Sequence, residues 1–151
     1  MTINDIEKIM LIDRDMDFLE QAKKTIESEN KDVEVLTTTS IERSIVELEE
    51  HKLQVIISSY NIGEKDGLEL LRKLRKEKWS NLPFILLIDG ENDTVMLKAL
   101  QLGANRVFLK RENEVLSCQI LSEIVRQELL NHKMRKELEH LRKRSPNIIM
   151  F

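Results

Sequence analysis

Five short apolar runs punctuate the chain, and each is followed by a segment whose apolar residues recur at helical spacing. The runs are Ile9–Ile12, Val33–Leu36, Val55–Ile57, Phe84–Ile88 and Val107–Leu109. After the first come Phe18, Leu19, Ala22 and Ile26, which fall on one face of a helix. After the second, Thr39 and Glu42 form a capping-box pair that opens a helix carrying Ile41, Ile45 and Leu48. The third run passes through a turn region, Ser58 to Gly67, into a helix with Leu68, Leu71 and Leu74. Pro83 leads into the fourth run. Asp89–Asn92 is its loop, and the next helix runs to Leu102 with Gly103 as a stop signal. Asn113 is placed to cap the last helix.

The pattern is five strand–helix units. The first, third and fourth runs are apolar almost throughout, as parallel strands covered on both faces require. Such alternation predicts a right-handed, doubly wound parallel sheet. Sites on these sheets lie beyond the carboxyl ends of the strands. Here those ends are Asp13-Arg14, Ser58-Ser59, Ile88-Asp89 and Lys110.

The last helix is longer than one domain needs, since nothing breaks it between Asn113 and Pro146. Val115, Leu116, Ile120 and Ile124 supply a face to pack on the sheet. Beyond them a seam reads Ser117, Ile120, Ile124, Gln127, Asn131, Met134, Leu138, Leu141, with spacings of three and four. That is a heptad pattern with a polar middle, in which Asn131 would fix register. We therefore expect a body over residues 1–125, a helical extension over 126–151, and a homodimer held partly by Asn131, Met134, Leu138 and Leu141.

Composition narrows the function classes. The 151 residues are 41% hydrophobic and 34% charged, which suits one globular domain and not a disordered chain. No apolar run approaches the ~20 residues that span a bilayer. The polar, acidic start, Met1 to Lys8, is not expected to act as a secretory signal. Cys118 is the sole cysteine, so no internal disulfide forms, and a cytoplasmic location is expected; the thiol is read as packing. The net charge of −3 divides unevenly: Arg126 to Arg144 carries +4 and the remainder −7. Because Glu128, Glu137 and Glu139 interleave with the basic residues at helical spacing, this stretch reads as a solvated helix face and not as a nucleic-acid interface. His51, His132 and His140 lie in charged helical stretches and read as solvated. The sequence leaves Trp79 open between packing and partner contact. The apolar end Ile148–Phe151 looks cut from something longer.

Four stretches together resemble the receiver domains of response regulators: Lys8–Asp15, Val55–Leu71, Pro83–Ile88, and Gly103-Ala104 with Phe108-Leu109-Lys110. They appear in order and at that family's spacing, and the resemblance covers residues 7 to 125. It implies a flavodoxin-like (βα)5 fold with strand order 2-1-3-4-5. It also implies a signalling role in which an aspartate after the third strand takes a phosphoryl group from a partner kinase, with Mg²⁺ held by acidic residues after the first strand. A Thr or Ser after the fourth strand and a Lys after the fifth would contact the phosphoryl oxygens.

Carried over by position, Asp13 matches the first acidic residue and Lys110 the lysine. The rest departs from the pattern. Arg14 stands for the second acid, Ser59 for the nucleophilic aspartate and Ile88 for the Thr/Ser. Arg111 replaces a proline and Val107 an aromatic residue, while Asn61 sits where a backbone carbonyl would bind the metal. A serine hydroxyl is a weak nucleophile without an adjacent base, whereas a carboxylate is ionised at neutral pH unaided. Mg²⁺ seeks carboxylate and phosphate oxygens, but here Asp13 and Lys110 cancel and Arg14 adds a positive charge. We expect a structural Asp13–Lys110 pair, no metal or other cofactor, no enzymatic activity, and output through protein partners, either a signalling kinase or a downstream domain. Asp15 is read as a cap or a solvated residue and Asp89 as a loop residue. The alternative is a phosphoryl acceptor with a rearranged site.

Overall fold

A computed structural model describes residues 6–144. The helix stop at Pro146, the apolar end Ile148–Phe151 and most of the stretch Met1–Lys8 lie outside the described residues. The elements in order are β1 (Glu7–Ile12), α1 (Met16–Glu29), β2 (Val33–Thr38), α2 (Ile41–Glu50), β3 (Val55–Ser59), β4 (Asn61–Ile62), β5 (Lys65–Asp66), α3 (Gly67–Lys76), β6 (Phe84–Ile88), α4 (Asp93–Gln101), β7 (Arg106–Leu109) and α5 (Glu114–Arg144).

Five parallel strands form the central sheet in the order β2-β1-β3-β6-β7. This is the predicted 2-1-3-4-5 order once the two-residue hairpin β4–β5 is set aside. Strand alternation sends Ile9, Leu11, Ile57 and Leu87 toward α1 and α5, and Met10, Ile12, Ile56 and Leu86 toward α2, α3 and α4. Both faces are thus covered by helices, which explains why the middle strands are apolar throughout. Trp79 packs partly buried against the second of these clusters, with the Lys78 ammonium 5.0 Å from its ring centroid.

Local chemistry sets the helix starts. Asp15 caps α1 by accepting from the backbone N–H groups of Asp17 and Phe18. Asn113 accepts from the Leu116 N–H, 3.1 Å, as predicted. The cap of α2 needs correction. It is Ser40, whose hydroxyl oxygen accepts from Arg43 N–H, and not Thr39. The reason is a turn in which Ser40 N–H donates to the Thr38 hydroxyl, 3.1 Å, and delays the helix by one residue.

The turn between β3 and α3 holds a constraint that composition does not reveal. A Cβ on Gly67 would lie 2.6 Å from the Ser59 carbonyl oxygen and 2.8 Å from a Leu86 methyl. The backbone that follows the candidate acceptor position therefore sits against the sheet with no room for a side chain. Gly67→Ala is expected to cost about 2 kcal/mol through overpacking. Urea denaturation measures it, and an unchanged midpoint would show that the loop yields freely.

The packing face of α5 also differs from expectation. Its buried residues are Ser117, Cys118, Leu121, Ser122, Val125, Glu128 and Leu129, whereas Val115 and Leu116 are exposed. Small residues on the buried side let α5 approach α1 closely, and Ser122 accepts from the Asn30 amide, 3.1 Å. The Ser117 hydroxyl accepts from Arg111 N–H at 2.7 Å and fixes the rotation of the first turn. Cys118 is fully buried, as read, and burial pushes its thiol up to about 11. Packing continues past Val125 to Leu129. There Glu128, itself buried, accepts from Arg106 on β7 at 2.7 Å.

Candidate functional site

The carboxyl ends of β1, β3, β6 and β7 bring Asp13, Ser59, Ile88 and Lys110 to one edge of the sheet. Register places Ser59 beside Leu87 and Ile88 beside Leu109. Asp13, Ser59 and Ile88 are buried, while Lys110 is half-buried. The Asp13 carboxylate is committed on both oxygens. Oδ1 accepts the Asp15 N–H at 2.9 Å, and Oδ2 accepts from Lys110 Nζ at 2.6 Å. Side-chain exposure of the pair is 3% for Asp13 and 15% for Lys110, so the contact is shielded from water. Asp13 and Lys110 therefore pair as predicted.

Two further groups hold the lysine. Its ammonium lies 3.9 Å from the centroid of the Phe18 ring and 3.7 Å from Asp89 Oδ1. Sequence reading gave Phe18 only a core role and Asp89 only a loop role. Helical periodicity explains the burial of Phe18, but nothing in the sequence signals that its ring face meets a cation. Asp15, Phe18, Asp89, Lys110, Arg111 and Glu114 share a cavity of about 250 Å³ at this edge.

Arg14 and Asn61 stand apart from this cluster. Arg14 is exposed and forms no ion pair among the described residues, so its charge is not delivered to Asp13 by contact. Asn61 is exposed on the β4–β5 hairpin, where it pairs in register with Asp66. The Ser58 hydroxyl donates to the Ser59 carbonyl, 3.0 Å. A divalent cation at this edge would find the Asp13 carboxylate already neutralised by Lys110, Asp89 facing the same ammonium, and Asp15 Oδ1 committed to capping α1. The residues present do not fit Mg²⁺. Elsewhere, Glu47, Glu50 and His51 gather at the end of α2. That group is already compensated: Arg43 pairs with Glu47 at 2.8 Å, and Lys8 Nζ lies 3.3 Å from His51 Nδ1. His51 and His132 are half-buried rather than solvated, while His140 is exposed.

On α5 the seam residues Asn131, Met134, Leu138 and Leu141 are exposed, and Leu130 joins them. The four apolar members are 44% to 55% exposed. At the upper end the same seam begins with buried Ser117. The change follows from geometry, because a 3.5-residue repeat on a straight helix drifts ~20° per heptad. The seam thus starts against the body and ends facing away from it. No described helix is long and apolar enough to cross a membrane.

The profile of the response regulator receiver domain matches residues 9–122. Among curated relatives, the chemotaxis protein CheY homolog of Campylobacter jejuni is 32% identical over 59 residues, 38% of this chain and 45% of the relative. The rice two-component response regulator ORR26 is 29% identical over 104 residues, 68% of this chain and 17% of that protein. The chain thus aligns with less than half the length of either. Among solved structures, a CheY-like receiver domain protein from Methanospirillum hungatei superposes with a TM-score of 0.75 at 19% identity, covering 87% of this chain and 99% of the other. A two-component response regulator from Clostridium difficile gives 0.70 at 24%, covering 82% and 95%. With a β2-β1-β3-β6-β7 sheet, an Asp13–Lys110 pair at its carboxyl edge and a profile match over most of its length, the chain belongs to the response-regulator receiver domains of two-component signalling.

Proposed function

We propose that this receiver is a non-enzymatic pseudo-receiver, not phosphorylated at the usual position, whose output is controlled by association with protein partners. The observation that carries the reading is the committed state of Asp13 and Lys110. The lysine that would meet a phosphoryl group is already held by Asp13, Asp89 and the Phe18 ring. At the acceptor position Ser59 offers a hydroxyl, which needs a base; the Asp13 carboxylate that could serve already accepts two hydrogen bonds. At the end of β6 Ile88 replaces a hydroxyl with hydrocarbon, so no hydrogen bond there would report a phosphoryl group.

In this reading α5 carries the association. Its apolar stripe faces away from the body and suits a second copy of the chain. With Asn131 and Leu138 at one seam position and Met134 and Leu141 at the other, Glu137 precedes Arg142 by the spacing that pairs them between parallel helices. The antiparallel arrangement would set Arg135 and Arg142 against their counterparts.

Incubation with acetyl phosphate and Mg²⁺, read by intact mass, tests the central claim. No phosphoryl adduct is expected under conditions that load a receiver with the usual aspartate. An adduct mapped to Ser59 or Asp89 would replace this reading with the alternative, a phosphoryl acceptor with a rearranged site.

A further inference from the structure

At the opposite end of the sheet, where the strands begin, α5 leaves the body and a larger cavity opens. It has a volume of about 650 Å³, and its lining includes Arg75, Asn105, His132, Arg135, Lys136 and Glu139. The α5 members fall at i, i+3, i+4 and i+7. They continue the stripe that buries Leu121, Val125 and Leu129 higher up. The stripe keeps its direction toward the body but changes chemistry at His132, from apolar to cationic. The seam residues Met134, Leu138 and Leu141 lie roughly 140° around the helix from it, at ~100° per residue. The two faces are therefore separate surfaces with separate occupants.

The charges around this cavity are not internally neutralised. Arg75 is half-buried on α3, and every hydrogen bond of its guanidinium goes to a neutral acceptor: the carbonyls of Gly103, Trp79 and Leu82 and the Asn105 side chain. Arg75, Arg135 and Lys136 form no ion pair among the described residues. Glu139 is the one carboxylate among the lining residues. In a chain of net charge −3, this leaves a concave positive site with a half-buried cation at its base. The volume lies within the ~300–1,000 Å³ range of small-ligand pockets.

We propose that this cavity binds a diphosphate group, supplied by inorganic pyrophosphate or by a nucleoside diphosphate, with Arg135 and Lys136 as its direct partners and Arg75 as a fixed positive charge behind them. Arg135 and Lys136 are adjacent in sequence and both line the cavity, so each can meet one phosphoryl unit of the same diphosphate. A protein carboxylate would satisfy one of them and leave the other.

His132 reports on the site. Burial lowers its pKa, and Lys136 and Arg135 on α5 and Lys52 after α2 lower it further, while Glu7 on β1 acts in the opposite sense. Arg75 faces the same cavity from α3. A bound anion opposes the cations and favours imidazolium, so binding must raise the His132 pKa.

The test is titration of the full chain with pyrophosphate, and separately with ADP, at constant ionic strength. Binding is followed by calorimetry and by the imidazole NMR signals of His132 and His51. Saturable binding is expected, with the His132 titration midpoint raised by about half a pH unit or more and His51 unmoved. Arg135→Gln/Lys136→Gln should weaken binding about tenfold or more, because charge-assisted contacts are lost while both positions lie outside the packed body. Equal affinities for pyrophosphate and ADP assign the inorganic group, and tighter ADP binding assigns the nucleotide. Absence of saturation, an unmoved His132, or full binding by the double variant would overturn the assignment. A short oligonucleotide that binds while pyrophosphate does not would overturn it in favour of a nucleic-acid backbone.

Discussion

Replacing Lys110 with methionine is expected to destabilise the domain by about 3 kcal/mol, measured by urea denaturation of the wild type and the variant. The physical cause lies in what remains. Asp13 is buried at the end of β1, and its Oδ2 would lose a 2.6 Å partner without gaining access to water. Removing one member of a buried pair leaves an uncompensated charge and typically costs ~3–5 kcal/mol. The lower end applies because Lys110 retains some exposure and Asp15 N–H still donates to Oδ1. Methionine keeps the aliphatic stem over Phe18 but forfeits the cation–π contact, worth ~0.5–2 kcal/mol. The double variant Asp13→Asn/Lys110→Met should recover most of the loss, since neither residue would then carry a buried charge. A single-variant loss below about 1 kcal/mol, or a double variant as unstable as the sum of the singles, would contradict the pair's role.

The fold was legible in the sequence because its main determinant is periodicity. Runs such as Phe84–Ile88, apolar on both faces, leave a parallel strand between two helical layers as the arrangement that buries them. The Asp13–Lys110 pair was legible because both residues sit at strand ends, where topology decides their neighbours. What escaped depended on side-chain direction. Phe18 obeys the helical pattern wherever its ring points, so the pattern could not announce a cation on its face. Val115 and Leu116 satisfy the same period as true core residues, yet Ser117, Cys118 and Ser122 won the buried side because close packing on α1 requires small side chains. The cap of α2 moved by one residue because Thr38 and Ser40 interact locally, and the four adjacent hydroxyl residues Thr37 to Ser40 look equivalent in the sequence. Arg14 shows the opposite limit. Its position in the chain suggested a charge beside Asp13, but the side chain is exposed in the first loop.

These differences bear on how the proposed pseudo-receiver would work. In the proposed reading, where no divalent cation competes for the Asp13 carboxylate, the Asp13–Lys110 pair would brace β1 against β7 at the carboxyl edge. In that reading switching would come from outside that edge, and α5 offers an exposed apolar stripe in Leu130, Met134, Leu138 and Leu141. Glu128 and Arg106 anchor it to β7, and Lys133 reaches Glu7 on β1 at 2.9 Å. A force or partner acting on the lower helix is therefore coupled to the inner strand β1 and to the edge strand β7.

Truncation after Lys133 is expected to convert a dimer into a monomer in analytical ultracentrifugation while leaving the α/β body folded. The cut must fall there and not at residue 125, the boundary expected from the sequence, because Glu128 and Leu129 are buried against the body and Lys133 pairs with Glu7. Beyond that point the helix has little of its own to hold it. Isolated helices shorter than ~12–15 residues are marginal in water. Met134, Leu138 and Leu141 are half exposed, and burying each is worth up to roughly 1.5–3 kcal/mol. Three per chain, doubled in a pair of helices, can offset an association cost of ~4–15 kcal/mol, with Leu130 and the Glu137–Arg142 pairing adding a smaller share. The polar seam residues Gln127 and Asn131 limit the strength and favour one register. Orientation is tested separately with Leu141→Cys. Cys118 is buried and its thiol is pushed up by burial, so a new thiol near the helix end reports alone. Parallel helices bring the two Cys thiols together and give a disulfide-linked dimer on mild oxidation, whereas antiparallel helices hold them apart. A full-length chain that sediments as a monomer would end the proposal. A truncated chain that remains dimeric would move the interface to the body.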